Sequence, residues 1–295
     1  MIVVVSGASG LVGSALVPAL ERAGHEVRRL VRRAPRTPGE IRWDPVAGRL
    51  DPGSLAGVEA AVNLAGASIA VRWMAASRRT IRESRVQSTA LLAGTLARLS
   101  PRPRVMVSMS ASGWYGDRGD EVLDEDARPG TGFLAETARA WEAAAEPARR
   151  AGLRVVHPRA GMVLSPRGGA LVRLLTPFRL GLGGPLGDGR QWWSWIALDD
   201  LAAVLVRLLG DESFAGPVNV TGDSLRQRDF AAVLGRVLGR PAILPAPAFA
   251  LRLALGEMAD GLLLSSQRMV PGRLDRAGVA RRTELEPALR AVLAG

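Results

Sequence analysis

The chain has 295 residues, 47% of them hydrophobic, enough for one large α/β unit with an appended lobe. It contains no cysteine, which excludes disulfides and thiolate chemistry and suits a reducing cytoplasm, and with only two histidines, His25 and His157, a zinc site is not expected. The net charge of +11 comes from arginines spread along the whole chain, with no basic run and no aromatic ladder, so neither nucleic acid nor a membrane is an expected partner.

Ile2 to Val5 is a short, mostly β-branched apolar run, the pattern of a parallel strand buried on both faces. It is too short for a signal peptide or a membrane span. The run stops at Ser6, and Gly7, Gly10 and Gly13 follow at three-residue spacing, with Ser9 between them. An amphipathic helix then runs to Ala23-Gly24. One glycine permits the tight turn, one lets backbone approach a pyrophosphate, and one lets helix pack on strand. The free N–H groups at the helix start are where a phosphate would sit. A plain βα turn is the alternative, but a glycine triplet between a buried strand and a helix selects a nucleotide cofactor.

Glu26 to Val31 reads as the second strand, closing on Arg32-Arg33. In a dinucleotide fold this tip lies beside the adenosine ribose, where enzymes that use NAD place an acid. No acid stands between Val27 and Gly39, and two guanidiniums occupy its place. Arginine matches a 2′-phosphate bidentately, so NADP(H) is the expected cofactor; two solvated arginines are the other reading.

Ala60 to Gly66 is a third buried strand running into a turn, followed by a helix over roughly 75–99 that ends at Pro101. Val105 to Ser108 is the next strand, and a loop rich in Ser, Gly and Asp follows. Phe133 to Ala151 reads as one helix stopped by Gly152, and Leu153 to Val156 as a strand ending at His157-Pro158. After Pro166 come glycine-punctuated segments and a tryptophan cluster at Trp192, Trp193 and Trp195. Asp199 to Leu209 is helical, Pro217 to Thr221 a strand, and the rest mostly helical with breaks at Pro241, Pro245 and Pro247. Phe249 to Leu264 reads as an amphipathic helix burying one face. The fold class is therefore α/β, a Rossmann doubly wound parallel sheet with a smaller, mostly helical C-terminal lobe. The expected division gives 1–165 and 198–222 to the nucleotide-binding domain, and 166–197 and 223–295 to the substrate lobe.

The stretches Ser6 to Gly13, Asn63 to Gly66 and Ser108 to Gly116 resemble the extended short-chain dehydrogenase/reductase superfamily. Arg72-Trp73, Ile81 to Arg85, Phe133-Leu134, Trp141-Glu142, Pro177 to Pro185, Gly189 to Trp192, Trp195-Ile196, Asp199-Asp200, Gly256-Glu257 and Ser266 to Pro271 narrow the likeness to its "epimerase family protein" branch. The resemblance covers nearly the whole chain. It implies a Rossmann fold, NADP(H), and a C-terminal lobe of uncharacterised function. It also implies cofactor contacts at Leu11-Val12, Val31-Arg32, Leu64-Ala65, Arg85 and Val163, beside the glycine turn, Arg33 and Gly66.

The departures from that superfamily concern its chemistry. Its enzymes use a Tyr-x-x-x-Lys pair, but this chain has no lysine, and its single tyrosine, Tyr115, is followed four residues on by Gly119. Aligned through Glu142, Leu134 takes the tyrosine position and Ala138 the lysine position. The family's catalytic Asn falls on Arg85, and its serine remains as Ser110, with Ser112 as a fallback. The arginine that grips the diphosphate of sugar nucleotides falls on Trp193, so the family name does not carry such a substrate over.

Ser110 and Tyr115 lie on the loop after a parallel strand, the sheet edge where ligands bind in this class. A serine hydroxyl can hydrogen-bond a substrate carbonyl, and a tyrosine delivers a proton when a nearby cation lowers its pKa. Ser110, Tyr115 and Arg85 are thus the candidate catalytic set; the alternative makes Ser110 and Tyr115 turn residues and gives Arg85 to the cofactor alone. The tryptophans suit either stacking on a flat ligand or lobe packing. His157 reads as structural, and Asp199-Asp200 as an N-cap. Two functions remain open: an NADP(H)-dependent oxidoreductase or epimerase of a small polar, sugar-like molecule, working without Tyr-x-x-x-Lys, and a non-catalytic NADPH-binding sensor or interaction protein.

Overall fold

The computed structural model describes residues 1–294. Its centre is a parallel sheet of β1 (Ile2–Ser6), β2 (Glu26–Val31), β3 (Glu40–Arg42), β4 (Ala60–Asn63), β5 (Val105–Ser108), β6 (Arg154–Ala160) and β7 (Gly216–Val220). The strands lie in the order β3-β2-β1-β4-β5-β6-β7, and the two-residue strand Ser110–Ala111 adds alongside β6. This is the doubly wound order, which places the crevice for ligands at the carboxyl ends of the strands.

Strand alternation explains the two cores. Val3 and Val5 point to one face with Val62 and Val107, where α1 (Leu11–Arg22) contributes Leu16 and Leu20. Val4 points to the other with Ala61 and Met106, against Leu92 and Leu96 of α2 (Ala75–Ala97). Each fully buried valine contributes about 1.5–3 kcal/mol relative to exposure. Further helices are α3 (Phe133–Ala143), α4 (Gly169–Arg179), α5 (Leu198–Gly210), α6 (Gln227–Leu238), α7 (Ala248–Leu255) and α8 (Leu285–Ala294). Leu201, Val204 and Leu205 of α5 complete the first core. Leu171, Leu175 and Phe178 of α4 join Phe230, Leu234 and Leu289 in a third core, which belongs to the C-terminal lobe.

Three sequence expectations change, and one strand was not expected. The helix expected over 133–151 is two helices, Phe133–Ala143 and Glu146–Arg150. Pro147 is the cause, because it has no N–H and its ring clashes with the carbonyl four residues back. The C-terminal run 249–264 is not one helix: Gly256 at φ 62° ends α7, and Ala259–Leu264 forms a separate π-helical turn. α7 buries no residue; Phe249 is 73% and Leu253 81% exposed. Asp199 and Asp200 do not cap α5, whose N-cap is Ala197. They sit in its first turn, and Asp200 instead receives the backbone N–H and a guanidinium N–H of Arg282. Finally, β3 is an edge strand too short to have given a periodic signal.

Candidate functional site

The register pairs Ser6 with Leu30 on one side and with Asn63 on the other, so the turns after β1, β2 and β4 open at one edge. Gly7 sits at φ 68°, and a Cβ there would stand 2.8 Å from the Leu64 carbonyl group. Gly13 is needed for a different approach: its Cβ would lie 2.3 Å from Gly7 O, so α1 packs on the turn itself rather than on the strand. Gly10 is the exposed N-cap of α1, with no side-chain cap and no acid in the first turn. The first-turn N–H groups of α1 have no helical acceptor, and the macrodipole favours an anion there. A diphosphate fits this cradle, where a side chain at position 10 would intrude.

Ser6 Oγ donates to Asn63 Oδ1 (2.5 Å) and accepts the Leu64 N–H (3.2 Å), which fixes the turn after β4 beside the glycines. Gly66 lies over the Arg85 side chain, which a Cβ would approach to 3.1 Å. Arg85 donates to the carbonyls of Ala67 and Ile81, lies 5.1 Å over the Trp141 ring, and is pushed down to about 10 by burial. Gly168 and Gly169 of the segment entering α4 pack on Leu11, and Gly169 also approaches Val163 O. Leu11 and Val163 thus meet the start of α4, and Gly7 and Gly66 meet Leu64, Ala65 and Arg85.

The arginines at the tip of β2 differ. Arg33 forms a bidentate pair with Glu40 at 2.6 and 2.7 Å, and Glu40 also takes the Arg36 N–H. Those bonds, that to Arg33 first, bring the Glu40 carboxyl down to about 2. Arg32 is exposed and has no side-chain partner among the described residues. The guanidinium available to a phosphate is therefore Arg32.

The expected catalytic set does not assemble. Ser110, 2% exposed, donates to Glu142 Oε1 at 2.7 Å. Glu142 is held bidentately by Arg159, Nε to Oε1 at 2.9 Å and Nη2 to Oε2 at 3.0 Å. Tyr115 is fully buried; its hydroxyl faces Asn219 Oδ1 at 2.6 Å and accepts from Arg159 Nη1 at 3.1 Å. Burial outweighs the nearby Arg159 and pushes the phenol up to about 12, the opposite of what a proton donor needs. The bonds of Arg85 go to Ala67 and Ile81, so its charge does not serve Tyr115. Tyr115 is thus part of a buried hub. Asn219 extends that hub to the carbonyls of Leu123 and Val270, and Glu125 Oε1 receives the N–H groups of Asn219 and Arg273.

Glu142 and Arg159 are the residues that sequence reasoning undervalued. The signal was present, since a carboxylate on the inner face of α3 and an arginine inside a buried strand imply a buried pair. The tryptophans turn inward: Trp195 is fully buried, and Trp193 packs edge-on against Phe230 at 5.4 Å. Trp192, half-buried, has the guanidiniums of Arg226 and Arg268 over its ring at 4.3 and 4.4 Å. His157 is half-buried with Nδ1 3.3 Å from the Ser108 carbonyl, and burial lowers its pKa. Leu134, at the tyrosine position, packs on Gly113.

Comparison with known proteins places these features. Residues 3–221 match the model of the NAD dependent epimerase/dehydratase family, and residues 246–292 match a domain of unknown function (DUF1731). Epimerase family protein Mb2239 of Mycobacterium bovis is 44% identical over 279 residues, covering 94% of this chain and 92% of its own. The crystal structure of human epimerase family protein SDR39U1 (isoform 2) with NADPH superposes with a TM-score of 0.89 at 32% identity, covering all of both chains. A nucleoside-diphosphate sugar epimerase of Corynebacterium glutamicum gives 0.82 at 37% identity, covering 99% of this chain and 58% of that one.

Proposed function

Since the chain belongs to the NAD dependent epimerase/dehydratase family, we propose that it is an NADP(H)-dependent oxidoreductase or epimerase of a small polar substrate, working without the Tyr-x-x-x-Lys pair. The observation that carries the cofactor reading is the free Arg32 at the tip of β2, beside an uncapped helix start. Gly7, Ser9, Gly10, Leu11, Val12 and Gly13 would surround the diphosphate. Arg32 would take the 2′-phosphate, flanked by Val31 and by Arg33, which Glu40 already holds. Leu64, Ala65, Gly66, Arg85 and Val163 would line the remainder of the dinucleotide. Bound there, the cofactor supplies a hydride donor or acceptor.

The chain's own contribution to chemistry is Ser110 with Glu142. Because the Ser110 hydrogen points to the Glu142 carboxylate, which Arg159 grips bidentately, Ser110 Oγ would face a substrate as an acceptor. It would therefore orient a substrate hydroxyl more readily than a carbonyl. A second reading, a protein that holds NADP(H) without turning it over, is favoured by the inward hydrogen bonds of both Ser110 and Tyr115.

A spectrophotometric screen separates the two, following NADPH oxidation with carbonyl compounds and sugar nucleotides, and NADP⁺ reduction with the matching alcohols. The enzyme reading expects turnover that falls about 10²-fold or more in Ser110→Ala with NADPH affinity unchanged. Tight NADPH binding with no turnover on any compound supports the second reading instead.

A further inference from the structure

Residues 68–73 cross from the end of β4 to the start of α2, and their two anchor points are fixed. At one end, the Ala67 N–H binds Ser84 Oγ (2.9 Å) and Arg85 binds the Ala67 carbonyl (3.0 Å). At the other, Ser77 Oγ accepts the Met74 N–H at 2.8 Å and closes the first turn of α2. Between the anchors the segment folds on itself, with Trp73 Nε1–H donating to Ile69 O at 2.9 Å. Val71 and Arg72 are exposed.

This compact segment is held down by contacts to the C-terminal lobe and to α3. The Trp73 ring meets Phe133 edge-on at 5.1 Å. Its far edge is seated on Gly261, in the π-helical turn, where a Cβ would come within 2.6 Å of the ring. Arg173 of α4 donates to Ala70 O at 2.9 Å, and Arg78 at the start of α2 pairs with Glu257 at 2.7 Å across the same seam. The helix that supplies Arg173 begins at the glycines packed on Leu11. The segment thus meets α4 about one turn from its start, where Gly168 and Gly169 pack on Leu11 at the beginning of α1.

We propose that residues 68–73 are a hinged strap that docks on the C-terminal lobe through Trp73 and gates the passage of the dinucleotide. The inference rests on the NADP(H) reading above. Opening needs rotation only at the two anchored ends, because the Trp73–Ile69 bond keeps the segment together. It breaks the contacts of Trp73 with Phe133 and Gly261 and the hydrogen bond from Arg173 to Ala70 O. Their contributions are small enough for thermal opening.

Stopped-flow NADPH fluorescence on wild type, Trp73→Ala and Arg173→Gln tests the strap. Trp73→Ala is expected to speed association and release alike, about tenfold, corresponding to ~1.4 kcal/mol of lost docking, with Kd changed less than about twofold. Arg173→Gln, an exposed change that removes the hydrogen bond to Ala70 O, should give a smaller shift in the same direction. Trypsin provides a second readout, since Arg72 is the cleavage site on the strap. Cutting there should slow when NADPH is bound and quicken in Trp73→Ala. Rates equal to wild type in both variants overturn the gate. So does faster release with unchanged association, because Trp73 would then be a direct cofactor contact. If wild type does not bind NADPH at all, the cofactor reading fails and the gate with it.

Discussion

At the ends of β2, β1 and β4 donors are left without partners among the described residues: the first turn of α1 is uncapped and Arg32 makes no side-chain bond. At the ends of β5, β6 and β7, on the same sheet edge, Ser110, Glu142, Arg159, Tyr115 and Asn219 bind one another. The difference shows two uses of polar groups in one crevice. Open donors prepare a site for an anion, whereas a satisfied buried network fixes how loops and lobe meet the sheet. A family likeness assigns chemistry to the second region, and the geometry there is a buried hydrogen-bonded hub centred on Arg159, with Ser110 at its edge.

Substitutions that strike each region should therefore fail in opposite ways. The largest effect is expected from Arg159→Ala, which strands the Glu142 carboxylate inside the protein and should cost about 3–5 kcal/mol of stability. Denaturant unfolding measures it, and a loss under about 1 kcal/mol would mean the pair is solvated. Gly10→Val is the mirror case. Its nearest neighbour is Gly7 O at 3.2 Å, so the fold should survive with an unchanged circular dichroism spectrum. NADPH affinity should drop at least about a hundredfold, ~2.7 kcal/mol; a variant that binds normally would move the diphosphate elsewhere.

Tyr115→Phe sharpens the contrast with a smaller effect. Removing the hydroxyl leaves Asn219 Oδ1 and one Arg159 N–H short of a partner, a cost of about 1–3 kcal/mol. NADPH affinity and any turnover should stay near wild type once temperature is set well below the lowered Tm. A selective loss of turnover at full stability would restore Tyr115 to the chemistry.

The open region was legible in the sequence because its signals are local. A β-branched run, three glycines and a helix stand in consecutive residues, and Arg32 follows at the interval the dinucleotide fold requires. The hub was not, since its members come from five separate segments. Ser110 and Glu142 are 32 residues apart, and Tyr115 and Asn219 are 104 apart. No period or spacing joins such positions, so loop position grouped Ser110 with Tyr115 and alignment added Arg85, while the fold gave Ser110 to Glu142. α7 escaped for another reason: its apolar pattern promised a buried face, and Gly256 ends the helix before it acquires one.

The most direct test of this division is a fluorescence titration of NADPH and NADH against wild type and Arg32→Ala. With Arg32 as the free guanidinium, wild type should favour NADPH about ten- to a hundredfold, the ~1.5–3 kcal/mol of a hydrogen bond to a charged group. The variant should lose that preference while its NADH affinity stays the same. Equal affinities in wild type, or a preference that survives in Arg32→Ala, would contradict the account.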